Sequence, residues 1–388
     1  MGMLANFKQS LVVHLLFAIT FFTSGLIINF FQCILFFGLR PFSKYLYRKI
    51  NYYLCYSFYS QLVFMAEWWA DLEIVLYSDK EEFKKYYGKE HAYCVMNHSY
   101  EIDWLVGWVF CERINILGNC KAYAKKSIQY VPTLGWAWKF AESIFLERSW
   151  EKDKETIDVQ IKELTDYPDP IWLLLFAEGT RFTPEKCEAS KKFAKEKGLP
   201  ELTNHLMPRT RGFTASLPSM RGKVTGLYDV EMAFKPTDPV KPTMTNLLRG
   251  NKVEAHMCLR RIPMSDVPEG DEAAAAWLHE LYQRKDRMLA SFYETGDYFK
   301  TSGVPRLEAF KLERRYYSLI NTAFWAVVIL VPMLYYLIRL FISGSTVCIS
   351  IGIGILGLFL FLMQKLIGMS EISKSSSHYG TSESQKTK

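Results

Sequence analysis

The fold prediction starts from the segment Tyr93-Cys94-Val95-Met96-Asn97-His98-Ser99-Tyr100-Glu101-Ile102-Asp103. Its first four residues, Tyr93–Met96, form a short apolar run of the kind found in strands buried on both faces. Polar residues follow at once, so the predicted strand ends in a loop that carries His98 and Asp103. Side chains with a chemical role gather at such strand ends in α/β domains. The stretch therefore predicts a functional site at the edge of a buried sheet.

The same pattern continues through the middle of the chain. Further strands are predicted at Ile171–Phe176, Lys223–Val230 and Val253–Leu259. Between them lie an amphipathic helix, Asp153–Asp166, and a long charged helix, Asp271–Leu289. Strands that alternate with helices predict an α/β domain with a mixed, largely parallel sheet flanked by helices.

Long apolar runs lie near both ends of the chain. The first, Leu11–Leu39, fits either one tilted spanning helix or two short helices in one leaflet. The basic, aromatic stretch Arg40–Lys49 that follows it is typical of a segment at the membrane interface. Near the C terminus, Leu319–Ile342 and Val347–Leu366 are separated by a very short linker, which predicts a transmembrane hairpin.

These runs divide the chain into four predicted regions. Residues 1–50 form an N-terminal membrane anchor with its basic interfacial segment, and residues 51–315 form the folded domain. Residues 316–368 form two transmembrane helices, and residues 369–388, rich in Ser and Lys, form a disordered tail. Because basic residues flank the folded domain on both sides, the positive-inside rule predicts that this domain faces the cytosol.

Composition supports a membrane-associated protein with anionic partners. The aromatic share of 15% suits a protein that lives at a bilayer interface. The net charge of +7 favours lipid headgroups or phosphorylated co-substrates, although a solvated basic surface explains the charge alone equally well. The eight cysteines lack C-x-x-C spacing, which predicts reduced thiols and no metal site. No nucleic-acid partner is expected.

His98 and Asp103 have the residue types of a general base and its orienting carboxylate. A neutral imidazole can take a proton from a hydroxyl if a carboxylate holds its other ring nitrogen. A single histidine and aspartate with this spacing also fit the polar end of a strand that has no catalytic role. The interpretation as a base therefore depends on companion motifs elsewhere in the chain.

One companion motif, Glu178-Gly179-Thr180-Arg181, directly follows the predicted strand Ile171–Phe176. Gly179 allows a tight turn and close backbone approach. Arg181 presents a planar fork that suits a phosphate monoester. An ordinary turn that carries a surface arginine would have the same sequence pattern. If the two strands are parallel neighbours, this motif and His98 open onto one edge of the sheet.

Basic residues form the remaining candidate contacts for phosphate groups or CoA. Lys125 and Lys126 lie before the apolar run Trp136–Phe145, and Arg209 and Arg211 follow a loop-forming proline. A solvated charged rim is an equally good interpretation of these side chains.

Taken together, the motifs resemble the glycerolipid acyltransferase family, which contains the 1-acylglycerol-3-phosphate acyltransferases. The resemblance rests on four ordered blocks, Asn97–Asp103, Ile144–Arg148, Phe176–Arg181 and Leu206–Gly212. The flanking residues Glu67-Trp68-Trp69 and the C-terminal hairpin are similar to the animal gamma/delta branch of that enzyme group, which is associated with the endoplasmic reticulum.

The resemblance implies a role for each block. His98 would be the general base and Asp103 would orient it. The acceptor site would consist of Phe145, Arg148, Glu178, Gly179, Thr180 and Arg181. Pro208 would belong to a block linked to acyl-CoA binding. The family's fold, acyl-CoA as co-substrate without a bound cofactor, and lysophosphatidic acid as acceptor are implied as well. The implied location is the endoplasmic reticulum membrane, multi-pass, with the active site facing the cytosol.

Three alternatives stay open on the sequence. The acceptor could be another lysophospholipid, such as a lysophosphatidylinositol. The chain could be a non-catalytic membrane scaffold whose basic patch binds anionic lipid. A hydrolase or transacylase with a covalent nucleophile is disfavoured, because the sequence has no G-x-S-x-G nucleophile elbow.

Overall fold

A computed structural model describes residues 2–147 and 149–372. Within these residues, eight strands form one sheet: β1 Glu73–Tyr77, β2 Ala92–Met96, β3 Cys120–Lys125, β4 Ile144–Leu146, β5 Trp172–Leu175, β6 Gly226–Ala233, β7 Glu254–Pro263 and β8 Ala309–Phe310. Their order across the sheet is β4-β3-β5-β2-β6-β7-β1-β8. Only the pairs β6–β7 and β1–β8 are antiparallel among these strands. The prediction of a mixed, largely parallel sheet is confirmed.

Helices cover both faces of this sheet. Those of the folded domain are α4 Lys80–Tyr86, α5 Asp103–Arg113, α6 Leu134–Phe140, α7 Trp150–Thr165, α8 Pro184–Lys197, α9 Thr210–Met220, α10 Met244–Leu248 and α11 Asp271–Thr295. Sequence signals set several of their ends. The Thr183 hydroxyl accepts the backbone N–H of Lys186 at the start of α8, where Pro184 stands in the first turn, and Gly198 ends the helix in a left-handed conformation.

The core forms two layers, one on each face of the sheet. Strand β2 is buried along its whole length because its alternate residues enter different layers. Ala92, Cys94 and Met96 pack into the layer that contains α5. Tyr93 and Val95 pack into the opposite layer with α7 and α9. This burial on both faces explains why the strand is an unbroken apolar run.

The N-terminal apolar run forms one continuous helix. Helix α2, Leu11–Ile34, continues through a π-helical turn at Leu35–Leu39, so the alternative of two short helices is wrong. A short helix, α1 at Met3–Lys8, precedes it. Helix α3, Lys44–Phe64, then folds back against α2. The predicted boundary at residue 50 lies inside α3, which belongs to both the anchor and the folded domain.

Polar side chains inside this helix pair are hydrogen-bonded to one another. Gln61 Nε2 donates to the Ser24 hydroxyl over 2.9 Å, and Gln32 Nε2 donates to Asn51 Oδ1 over 2.9 Å. Asn29 in turn donates to Gln32. These bonds explain why polar residues interrupt the apolar run, since a buried amide without a partner is costly.

The C-terminal hairpin is present as predicted, with α12 at Tyr317–Ile342 and α13 at Thr346–Ser370. Together with Leu11–Leu39, these are the three helices in the described part of the chain that are long and apolar enough to cross a membrane. The hairpin helices are largely exposed, as expected of surfaces that face lipid. The chain is therefore a membrane protein. The predicted disordered tail, residues 369–388, begins too early, because Met369 and Ser370 still belong to α13, and residues 373–388 lie outside the described residues.

Candidate active site

The candidate site begins where β2 ends. Asn97, the first residue after the strand, exchanges two hydrogen bonds with the backbone of Met232 on β6, at 2.9 and 2.8 Å. These bonds fix the direction in which the chain leaves the sheet. The next residue, His98, therefore emerges at the carboxyl edge of the parallel strands, where the sequence predicts the site.

Asp103 holds the loop that carries His98. Its side chain is fully buried, and it occupies the first position of α5, where the helix dipole favours a carboxylate. One oxygen, Oδ2, accepts three hydrogen bonds. They come from His98 Nδ1 at 3.0 Å and from the backbone N–H groups of Ser99 and Tyr100 at 2.8 and 2.9 Å. The pair predicted from spacing is thus in contact, and the His98 Nε2 atom is left to face the cavity.

Three neighbours set the chemistry of the imidazole. Burial lowers the pKa of His98 below its usual value, Asp103 opposes that effect, and the positive charge of Arg181 adds to it. The ring also stacks on Phe176, with centroids 4.0 Å apart. The outcome is an oriented imidazole that is neutral near pH 7 and can accept a proton.

Glu178 lies behind His98 and does not line the cavity. Its carboxylate is fully buried, with Oε1 accepting the backbone N–H of His98 at 2.9 Å and Oε2 accepting that of Leu206 at 3.1 Å. Burial raises the pKa of Glu178 to about 7. Both oxygens are engaged with main chain, so the residue joins two blocks of the site. The acceptor-site role that the resemblance implies for Glu178 has no support in this geometry.

Gly179 is required by backbone shape and by space. Its φ of +71° lies in the left-handed region, and a Cβ atom there would stand 2.9 Å from Cδ of Arg209. The neighbouring Thr180 hydroxyl accepts a hydrogen bond from Nζ of Lys186 at 2.9 Å. The turn therefore keeps a fixed shape beneath the next residue, Arg181.

Arg181 is the cation best placed for an anionic ligand. In the part of the chain that the structure describes, no carboxylate lies within ion-pair distance of its guanidinium, and its Nε is buried without a partner. Burial lowers the pKa of Arg181, while the negative charges of Asp103 and Glu101 oppose that shift. A half-buried guanidinium with free donors suits a phosphate monoester.

A cavity of about 1420 Å³ connects these groups. The predicted site residues that line it are His98, Lys125, Gly179, Thr180, Arg181, Pro208, Arg209 and Arg211. Its apolar walls include Trp104 and Trp108 of α5 and Leu134 and Trp138 of α6. The cavity therefore has a polar end and an apolar interior, which suits a ligand that has a charged group and a hydrocarbon chain.

Other predicted residues stand apart from the cavity. Asp103 lies behind His98, and Phe145 lies on β4 outside the cavity wall. Lys126 points away and forms an ion pair with Glu147. Arg148 lies outside the described residues.

Comparisons with known proteins agree with this architecture. A family model described as "Acyltransferase" matches residues 75–222, and one described as "Acyltransferase C-terminus" matches residues 246–325. The 1-acyl-sn-glycerol-3-phosphate acyltransferase gamma of Mus musculus is 44% identical over 387 residues and that of Homo sapiens 43%, each covering 100% of both chains. The delta protein of Homo sapiens is 41% identical over 97% of both chains. The chain belongs to the acyltransferase family. No solved structure matches it.

The acyltransferase has a buried charge cluster that the sequence did not reveal. His205 is fully buried, with Nδ1 at 3.2 Å from Asp286 and Nε2 at 3.1 Å from Glu231. Burial lowers the pKa of His205, but the two carboxylates outweigh it and raise it to about 10. Asp286 also accepts the backbone N–H groups of Thr203 and Asn204. The cluster thereby holds the segment that leads to Leu206 and Pro208.

The acyltransferase also uses its C-terminal membrane helix at the site. Leu366, Gly368, Met369 and Ser370, from the end of α13, line the cavity. Sequence reasoning placed this helix in the membrane only, because no local pattern reports a contact with residues so distant in the chain. The membrane hairpin and the folded domain therefore share one cavity.

Proposed function

We propose that this acyltransferase moves a fatty acyl group from acyl-CoA to the sn-2 hydroxyl of 1-acylglycerol-3-phosphate, giving phosphatidic acid and CoA. The observation that carries the proposal is the contact between Asp103 Oδ2 and His98 Nδ1 at 3.0 Å, in a cavity that Arg181 and apolar side chains also line. The gamma and delta relatives are named for the same acceptor.

The proposed chemistry follows from the orientation of the imidazole. His98 Nε2 takes the proton of the acceptor hydroxyl as its oxygen attacks the thioester carbonyl. The tetrahedral intermediate then collapses, the carbon–sulfur bond breaks, and the CoA thiolate takes the proton from the imidazolium. Asp103 stabilises the imidazolium while it exists. A thioester is already activated, so this reaction requires no metal, bound cofactor or covalent enzyme intermediate.

The charges around the cavity support two anionic substrates. Arg181 lies close to the catalytic pair and would bind the phosphate of lysophosphatidic acid. The exposed side chains of Lys125, Arg209 and Arg211 line the same cavity and would contact the phosphates of CoA. The apolar walls that α5 and α6 contribute would hold the donor's acyl chain.

The proposed location is the endoplasmic reticulum membrane, with several spans and the active site facing the cytosol. Arg314 and Arg315 precede α12 and bond to the folded domain, Arg314 to Asp71 at 2.7 Å and Arg315 to the Glu112 carbonyl at 2.8 Å. Basic residues at this flank favour the cytosolic side. The branch that the flanking sequence resembles is associated with that membrane.

The test is an assay of the purified full-length enzyme with a panel of lysophospholipids, including lysophosphatidylinositol, and several acyl-CoAs. We expect highest kcat/KM with lysophosphatidic acid and a loss of about 10³-fold or more in His98→Ala. His91→Gln is the matched control, since His91 precedes β2 at the end opposite His98. Wild-type inactivity on every lysolipid, or a His98→Ala enzyme as active as the control, would contradict the proposal.

A further inference from the structure

The proposed reaction brings two hydrocarbon chains to His98, one on the acyl donor and one already on the acceptor. A second, smaller pocket of about 70 Å³ lies beside the catalytic cavity. We call it the α13 seam, and residues of α2, α3, α10, α12 and α13 line it, among them Ala18, Phe21, Leu248, Thr322, Met363 and Ile367. The two spaces share Leu62, Met244 and Leu366, so they lie against each other.

The α13 seam leads from the membrane region to the catalytic cavity. Three of its walls, α2, α12 and α13, are candidate membrane spans. Along α13, Met363 lines the seam, Leu366 lines both spaces, and Met369 and Ser370 line the catalytic cavity. The distance from Met363 to Ser370 is about 10 Å at the helical rise per residue. A chain lying along this helix would pass from lipid to the catalytic site within two turns.

The catalytic loop contacts the end of the same helix. Glu101 lies between His98 and Asp103, and burial raises the pKa of its carboxyl group while the nearby backbone of Met244 and Ile372 lowers it. Met244 begins α10 and lines both spaces, and Ile372 follows α13. The end of α13 therefore lies close to the loop that carries His98, and both line the catalytic cavity.

The lining of the α13 seam suits hydrocarbon rather than a headgroup. Three of its four polar side chains are bonded within the protein: His14 Nε2 to the Lys8 carbonyl at 2.8 Å, Thr20 to the Leu16 carbonyl at 2.9 Å, and Gln61 to Ser24 at 2.9 Å. The fourth, Thr322, contributes one buried hydroxyl that has no hydrogen-bond partner among the described residues. The surfaces that remain are mostly aliphatic and aromatic carbon. Such a lining gains from burying methylene groups and offers no charged partner.

We infer that the α13 seam binds the acceptor's own hydrocarbon chain, so that the lysolipid reaches His98 laterally from the bilayer while the donor's acyl chain occupies the deep cavity. The inference rests on the proposed function and adds a site for the second chain. The seam has room for a short stretch of chain, and the rest would lie among membrane lipids along α13.

Two substitutions change the seam without touching the catalytic cavity. Ala18→Leu narrows it and Met363→Ala widens it, since both residues line the seam alone. Leu358→Ala is the matched control, because Leu358 lies on the exposed face of α13 at 53% exposure. Gly107→Leu is the donor-side comparison, because Gly107 lines the catalytic cavity and a Cβ there meets nothing within 4 Å.

The assay measures kcat/KM of the full-length enzyme for short-, medium- and long-chain lysophosphatidic acids at a fixed acyl-CoA, and then the converse series. Ala18→Leu should weaken long-chain acceptors relative to short ones by about tenfold, and Met363→Ala should shift the preference the other way. Neither should alter the order of acyl-CoA preference. Gly107→Leu should do the reverse and change the donor series alone.

Several results would overturn the inference. A changed donor series in Ala18→Leu or Met363→Ala would assign the seam to the donor chain. Acceptor profiles that match those of Leu358→Ala would show that the seam holds no chain. If Ala18→Leu fails to fold, Met363→Ala still gives the opposite shift to test. Each of these outcomes leaves wild-type turnover intact, whereas wild-type inactivity on all lysolipids contradicts the proposed function itself.

Discussion

Replacing Asp103 with asparagine separates the charge of this residue from its shape. In the wild type, Asp103 Oδ2 accepts three N–H groups, those of His98 Nδ1 and of two successive loop residues. The asparagine oxygen can occupy the same place, but it carries no charge. The amide nitrogen must then stand where Oδ1 lies, and Oδ1 is buried without a hydrogen-bond partner. The variant therefore keeps the shape of the loop and loses the negative charge that the loop's N–H groups and His98 contact.

The size of the effect follows from these contacts. A buried amide N–H group without an acceptor costs about 1–3 kcal/mol, and each of the three bonds to Oδ2 weakens by about 1 kcal/mol when the charge is lost. The variant no longer buries a negative charge, which offsets part of this cost, so we expect the free energy of unfolding to fall by about 2–4 kcal/mol. The imidazolium formed during transfer also loses its counter-charge. We expect this to raise the activation free energy by about 3–5 kcal/mol, which lowers kcat by about 10²–10⁴-fold.

The pH dependence gives the sharper measurement. His98 must be neutral to act, so kcat falls as pH drops through its pKa. Asp103 raises the pKa of His98 against the effect of burial. Removing its charge lowers that pKa, so the acid limb of the kcat profile should move to lower pH while the plateau falls. The exposed Asp266→Asn is the control. A normal plateau, or an acid limb shifted upward, would refute the assignment of His98 as base and Asp103 as its partner.

Three further variants, with four predicted outcomes, concern the second motif of the site. In Glu178→Gln, one of the two backbone N–H groups meets an amide donor, so kcat should fall at least tenfold with acceptor KM little changed. Because burial raises the pKa of Glu178 from 4.5 to about 7, the wild type should lose stability as pH rises between these two values, and thermal melts of Glu178→Gln should lack that loss. Gly179→Ala should lose about 1–3 kcal/mol of stability in the same melts, since its φ is +71° and its Cβ would crowd Arg209. Arg181→Lys should raise the KM of phosphate-bearing acceptors about tenfold and leave that of acyl-CoA unchanged, because it loses the planar fork.

Buried strands could be predicted from sequence, while strands that depend on their neighbours could not. The predictions of β2, β5 and β7 agree with the structure within a few residues, because burial makes β2 and β5 apolar runs and because apolar residues alternate along Val253–Leu259. Strand β3, Cys120–Lys125, has lysines at two of its six positions, and only its parallel partners β4 and β5 make it a strand. The predicted third strand began at Lys223, three residues early, because Lys223–Thr225 lead out of the turn at Gly222.

In the candidate site, too, contacts between residues close in sequence could be predicted and contacts between distant residues could not. His98 and Asp103 are five positions apart, so one loop and a helical turn bring them together, and sequence reasoning could anticipate the contact. The partners of His205 lie 26 and 81 positions away, and no local spacing reports them. The presence of α13 at the cavity depends on how the whole hairpin packs against α2 and α10.

The position of Glu178 changes what the ordered blocks mean. Its carboxylate bonds to the main chain of His98 in the first block and Leu206 in the fourth. Two main-chain bonds complete the same frame, from Phe182 N–H to the His98 carbonyl and from Arg209 N–H to the Ala177 carbonyl, each 2.7 Å. Because the His98 backbone is held at both its N–H and its C=O, the location of the imidazole is set by the joint between blocks. Glu178 therefore acts on the position of the base, and its loss should appear in kcat rather than in acceptor binding.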